Sequence, residues 1–293
     1  MIFLVLTIIT SASLVLMFKV FDKYQVHLFP AIVVNYYAAT ISAFLFLPDK
    51  SGVTSGALFS YTWIPLALGL GTLFITIFNM VSITTVRFGV STASVAMKLG
   101  LVLPVLLAFT LYGEPFNWFK LLGILLAFVA VILSSIKEET EHHEHSKIAL
   151  LLPLLVFLGS GAADALTQLA NKQYVAKDGM EEFSFFLFLA AATAGTVAFV
   201  IGWLRNKTSL PVKSVIGGLI LGIINYFSYF FMLKALAEVP WGSSVLFPVI
   251  NLGTVAFATV AGIVLFREKI SKTNLAGLLF AAASITVILL SGK

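Results

Sequence analysis

Long apolar runs broken by short polar ones dominate the chain. Within the runs the apolar residues are continuous and do not alternate with polar ones as in a half-buried strand. A hydrocarbon core of ~30 Å needs ~20 apolar residues of helix to cross it. Runs of that size lie at roughly 2–18, 28–47, 62–85, 89–112, 117–136, 148–170, 183–204, 214–236, 241–266 and 273–291. In lipid every backbone polar group must be bonded inside a helix or a closed barrel, and continuous runs favour helices over the dyad pattern of a membrane barrel. The expected fold class is an all-α polytopic membrane protein with ten transmembrane helices. The first run, Met1–Phe18, has no basic leader and no small-x-small cleavage site, and further spans follow directly. It reads as helix one and not as a signal peptide.

The most polar break, residues 137–147, holds four glutamates and three histidines and no apolar residue. It divides the chain into residues 1–136 and residues 148–293, each with five runs. Compared from their C-terminal ends, the halves match. The first reads Lys98-Leu-Gly100, then Gly113-Glu-Pro115, then Gly123 and an apolar run to Ser135. The second reads Asn251-Leu-Gly253, then Arg267-Glu-Lys269, then Gly277 and an apolar run to Ser291. Glu114 precedes Gly123 by the same interval as Glu268 precedes Gly277, and Ser91 precedes Lys98 as Ser244 precedes Asn251. One extra residue lies between Asn251 and Glu268. This is an internal repeat. With an odd number of helices per half, the second half enters the membrane from the opposite side, so the repeats are inverted. In secondary transporters built this way the substrate site lies near the midplane between them.

Composition narrows the function. The 293 residues are 60% hydrophobic and 11% charged, against about 25% charged in soluble domains, and mean hydropathy is +1.05. There is no cysteine, which removes disulfides, thiolate nucleophiles and thiolate metal sites. The net charge of +5 is spread singly or in short clusters such as Arg205–Lys207 and Arg267–Lys272, so a nucleic-acid partner is not expected. No Gly-Lys-Ser/Thr follows the glycine pair Gly217-Gly218, so there is no phosphate loop, and energy for transport would come from an ion or substrate gradient. Paired acids, a metal cluster or a nucleophile–base pair inside the spans would point to an intramembrane enzyme; none is seen, and no enzymatic activity or cofactor is expected. A receptor or assembly factor usually brings a soluble domain, and none is expected here.

Each half resembles the EamA-type repeat of the drug/metabolite transporter superfamily. That repeat has an apolar helix ending in Gly-Glu or a similar pair, then a glycine, then a last apolar helix. Lys19 at the end of helix one and Pro30 at the opening of helix two fit the same pattern; Arg267, standing where Gly113 stands in the first half, departs from it. The resemblance implies a secondary, non-ATP-driven transporter of a small organic metabolite by alternating access, in a bacterial inner membrane, as a monomer or weak homodimer. Its partners would be a small-molecule substrate and the lipid bilayer. A passive channel or facilitator for a small polar solute is the other reading. The resemblance also implies that both termini are cytoplasmic. Lysine and arginine are more frequent in the odd-numbered loops, which by the positive-inside rule argues for an external N-terminus; the expectation follows the resemblance.

Polar groups inside the spans are the candidate site, since an ionised side chain there costs at least ~2.5–3.5 kcal/mol. Lys98 lies about ten residues into the fourth run. It could hold a carboxylate or phosphate of the substrate or exchange a proton; alternatively it pairs with a buried acid or snorkels to an interface. Asp164 heads a stripe with Thr167, Gln168 and Asn171 at i, i+3, i+4 and i+7 of the sixth run. It could couple protons, bind a substrate amine, or balance Lys98; plain hydrogen bonding between helices is the alternative. Asn251 takes the place of Lys98 in the second half. One positive charge and one amide at a shared interface suit an amino or hydroxy acid. The eighth run offers Asn225, Ser228 and Tyr229 among Tyr226, Phe227, Phe230 and Phe231; the second offers Asn35, Tyr36 and Tyr37; the third offers Asn79 with Thr72 and Thr76. A few convergent polar groups in an apolar cavity are the usual form of a small-ligand site, although each alone could serve helix–helix hydrogen bonding worth ~0.6 kcal/mol.

The remaining motifs read as structural. Pro104 and Pro248 kink the fourth and ninth runs. Glu114 and Glu268 sit at helix starts, where a carboxylate is favoured. Gly69, Gly71, Gly217, Gly218 and Gly222 allow close helix packing. The Glu141–His145 stretch reads as solvated linker and not as a metal site.

Overall fold

A computed structural model describes residues 1–50, 53, 61–100, 102–103, 118–135, 151–170, 174–175, 179–205, 209–238, 243–267 and 270–290. These form helices α1 (Ile2–Lys23), α2 (Leu28–Phe46), α3 (Ile64–Phe88), α4 (Val90–Leu99), α5 (Trp118–Ser135), α6 (Leu151–Leu169), α7 (Met180–Leu204), α8 (Val212–Glu238), α9 (Ser243–Phe266) and α10 (Lys272–Leu290). No strand occurs among the described residues. Each helix falls on one of the apolar runs. Six of them (α1, α2, α3, α7, α8 and α9) are long and apolar enough to cross a bilayer, and α6 and α10 are shorter apolar helices. The protein is an all-helical, polytopic membrane protein. The linker 137–147, Pro104, Glu114, Glu268 and Asn171 lie outside the described residues.

Local chemistry sets the helix ends. α1 does not stop at Lys19 but runs to Lys23. A long lysine stem can reach the interface from inside a helix, so Lys19 does not have to end it. The stop comes at Gln25, whose φ of 55° is left-handed. The Val26 N–H then donates to the Phe21 carbonyl at 2.8 Å, closing the last turn as a left-handed C-terminal cap does. Between α3 and α4 stands the single residue Gly89, at φ 95°, a conformation open to glycine and costly for other residues. The start of α10 is capped by Ser271, whose Oγ accepts the Asn274 N–H at 3.1 Å. Glu181 and Glu182 occupy the first turn of α7, where the helix dipole favours acids.

The helices group into two compact units, and the division falls within α1, α3, α6 and α8. One unit comprises Met1–Val20, Met80–Ala165 and Ser228–Lys293. In it α5 packs along α10, α4 packs on α9, α5 and α10, and α9 packs on α10. Gly123 and Gly277, the repeat-marking glycines, are both buried here, and the Ser284 hydroxyl of α10 donates to the Gly123 carbonyl of α5 at 2.7 Å. The other unit comprises Phe21–Asn79 and Leu166–Phe227. In it α2 packs on α7, and the fully buried side chains include Tyr36, Phe183, Phe188 and Leu187. The second helix thus lies with the seventh in one unit, and the fourth with the ninth and the fifth with the tenth in the other.

Candidate functional site

In the first unit α4 is the central helix. It contacts α5, α9 and α10, and its C-terminal end meets α6 glycine to glycine. A Cβ added to Gly100 would lie 2.6 Å from the Gly161 backbone nitrogen, so the two backbones touch. Lys98 stands two residues before Gly100, and Asp164 three residues after Gly161. They act on each other electrostatically. Lys98 is half-buried and Asp164 is exposed.

The same unit holds two further residues of the candidate set. Asn251 is buried on α9, the helix packed on α4. Tyr229 is buried on α8, and its neighbour Ser228 shares a hydrogen bond with Ser11 of α1 at 2.9 Å. Ser94 and Ser160, one turn before Lys98 and Asp164 respectively, have enclosed hydroxyls with no hydrogen-bond partner. Ser160 carried no signal in the sequence, because its neighbours are apolar and small and nothing in its spacing marks it out.

The second unit holds an uncharged polar centre. The Asn225 amide donates from Nδ2 to Asn35 Oδ1 at 3.2 Å, joining α8 to α2, and Asn35 Nδ2 donates to the Ile32 carbonyl at 3.4 Å. Tyr36, on the next residue of α2, points elsewhere. Its ring lies 5.9 Å from Phe78 and 6.4 Å from Phe188, and its enclosed hydroxyl has no hydrogen-bond partner. Asn79 donates to its own helix at Ile75. Thr72 and Thr76 likewise bond carbonyls four residues back. Tyr37 faces outward and meets Thr196 of α7 at 2.7 Å. Gln168 lies in α6, within this unit. The candidate residues thus fall into two sets. Lys98, Asp164, Asn251 and Tyr229 belong to one unit, and Asn35, Tyr36, Asn79, Gln168 and Asn225 to the other.

An aromatic and acidic group gathers at the ends of α2, α3 and α7. Tyr61 stacks on Trp63 at 4.7 Å, and Trp63 packs edge-on against Phe183 at 5.5 Å. The Tyr61 hydroxyl is hydrogen-bonded to Glu182. Burial above all, then this hydrogen bond and the charges of Glu182 and Asp49, push the Tyr61 phenol up from its usual 10.0. Its parts are far apart in sequence, so no local spacing announces it.

The pattern of the EamA-like transporter family matches residues 151–290. An uncharacterized protein of Haemophilus influenzae is 30% identical over 285 residues, covering 96% of this chain and 95% of that one. The chain belongs to the EamA-like transporter family. A solved crystal structure superposes on this EamA-like transporter with a TM-score of 0.60, covering 99% of the chain and 96% of its own, at 14% identity; that likeness concerns the fold. As a member of its family this transporter is a multi-pass membrane protein that moves small molecules. Its family pattern ends at Leu290, the last residue of α10.

Proposed function

We propose that the protein is a secondary transporter that carries a small organic metabolite with an anionic end, an amino or hydroxy acid, across a bacterial inner membrane by alternating access. The observation that carries this reading is the pair of opposite charges on α4 and α6, Lys98 and Asp164, acting on each other across a glycine-to-glycine helix crossing. Charges inside spans are costly and mark substrate or ion paths. Lys98 supplies a donor for the anionic end, and buried Asn251 supplies a neutral amide on the helix packed beside it. In the same reading, Asn35, Tyr36, Asn79, Gln168, Asn225 and Tyr229 shape the path by packing and by neutral hydrogen bonds. Residues 1–136 and 148–293 are the two inverted repeats, joined by the 137–147 linker. The packing of equivalent helices, α2 on α7, α4 on α9 and α5 on α10, supports this division.

Counterflow tests the reading. Proteoliposomes loaded with an unlabelled mixture of amino and hydroxy acids should take up a labelled one transiently above equilibrium, as only a carrier with alternating access does. Uptake that follows the gradient with no overshoot would replace the carrier with a passive facilitator. No uptake of any acid would overturn the substrate assignment.

A further inference from the structure

The unit formed by Phe21–Asn79 and Leu166–Phe227 has ends of opposite charge. Its helices α2 and α7 run antiparallel, since Phe44 meets Phe185 while Tyr37 meets Thr196. Asp49, Glu181 and Glu182 stand with Lys50 at one end. At the other, α1 closes at Lys23, α2 opens after His27, α7 closes at Leu204 and α8 opens at Val212. Among the described residues of that end the cations are Lys23, Arg205 and Lys213, and Asp22 is the one acid. Contacts tie the basic end together. One hydroxyl, Ser214 Oγ of α8, accepts the His27 N–H and donates to the His27 carbonyl, each at 3.2 Å. The Ser209 hydroxyl lies 3.5 Å from His27 Nδ1. A Cβ on Gly217 of α8 would lie 2.9 Å from the Phe21 ring of α1. Lys23 stands four residues before His27, Arg205 four before Ser209, and Lys213 next to Ser214. The three cations therefore flank one clasp, and all three are exposed.

We propose that this basic end binds the headgroup of an anionic phospholipid. Charge is the first argument: three cations against one acid attract an anionic surface, and each lysine or arginine near such a surface adds to the attraction. The second is level. These cations stand at the ends of spans, where long basic side chains reach the headgroups. Tyr24 is exposed at the same place, with Lys23 Nζ 6.0 Å from its ring centroid, and aromatic residues of this kind mark the membrane–water interface. The third argument separates a lipid from a soluble anion. Trp203, Leu204 and Val212, next to Arg205 and Lys213, are exposed apolar side chains. A soluble anion would meet only solvated, screened cations, whose pairing is weak. A phospholipid meets the cations with its phosphate and the apolar side chains with its acyl chains. The acidic end of the unit repels the same headgroup, so binding is confined to one end. A headgroup shared by Lys23 and Lys213 would reinforce the clasp between the α1–α2 turn and α8, so binding stabilises the fold.

The experiment is a thermal-shift titration of the full-length protein, purified in an uncharged detergent, with phosphatidylglycerol. Phosphatidylcholine of the same acyl chains and free glycerol phosphate serve as the other two arms. Phosphatidylglycerol should raise Tm at concentrations where neither of the others does. About 1 M salt, with a Debye length of ~3 Å, should remove most of that rise. Lys23→Gln, Arg205→Gln and Lys213→Gln should each weaken phosphatidylglycerol binding about fivefold, and Lys50→Gln, at the acidic end, should leave it unchanged. Equal stabilisation by phosphatidylcholine would overturn the role of the headgroup. Equal stabilisation by glycerol phosphate would replace the lipid with a soluble anion. A phosphatidylglycerol effect on the unaltered protein that ignores salt, or one that persists in the triple variant, would overturn the basic end as the site.

Discussion

Asn35 and Asn225 meet because neither amide can be left unpaired in an apolar interior. Replacing one leaves the other buried and short of a partner. Asn225→Ala should therefore lower unfolding stability in detergent by about 1–3 kcal/mol, with Asn35→Leu/Asn225→Leu recovering part of the loss; a neutral single change would argue that the pair contributes nothing. Tyr61 gives a pH signature at the same scale. Its phenol is raised above 10.0, by burial first and by Glu182 and Asp49 after it. A raised group contributes stability that is fully present below the ordinary value and is lost as pH climbs through the folded one. The tyrosinate absorbance missing in Tyr61→Phe should therefore develop above pH 10.0 and move back toward that value in Glu182→Gln; a titration indifferent to Glu182 would remove the contact. Legibility at this scale depended on charge. Lys98 and Asp164 stood out because ionised groups are rare in spans, and the structure couples them. The third run offered Asn79 with Thr72 and Thr76, and each of these bonds to its own helix. Ser160 and the Tyr61–Glu182 contact stayed hidden, since one depends on enclosure and the other on a distant partner.

Apolar run length placed the helices well, because ~20 apolar residues have few alternatives in lipid. It misplaced ends decided by single residues. Lys19 reads as a stop, but the stop is the left-handed turn at Gln25. The third and fourth runs looked like two spans with an ordinary break, and the break is one glycine, Gly89, at φ 95°. Glycines within spans all read as packing residues, and here the structure divides them. A Cβ on Gly71 would meet the Ala190 Cβ at 2.7 Å, and one on Gly222 the Ala38 Cβ at 2.5 Å, whereas one on Gly69 meets nothing within 4 Å. Gly71→Ala should thus destabilise the protein by about 1–3 kcal/mol through overpacking of α3 on α7, and Gly69→Ala should raise stability by up to about 1 kcal/mol through helix propensity. Equal effects of the two changes on Tm would contradict this assignment of contacts.

For the molecule as a whole, the spacing of motifs suggests the proposed repeat, but orientation was not legible, because loop charge and resemblance point in opposite directions. The absence of cysteine makes the test clean. Inverted repeats put the loop after α2 and the loop after α7 on opposite sides. Single cysteines at Asp49 and Ser209 should therefore react with an impermeant maleimide from opposite faces of the membrane; labelling from one face would refute inversion. The side on which Asp49 is labelled fixes the orientation. The central claim is that Lys98 holds the substrate, and counterflow in proteoliposomes measures it most directly. Lys98→Met should abolish exchange in protein that still folds and inserts, Lys98→Arg should keep part of it, and Lys98→Met/Asp164→Asn should stay inactive. If Lys98 only balances Asp164, each single neutral change is destabilising because it leaves one charge unpaired, and transport returned to the native rate by the double variant would contradict the account.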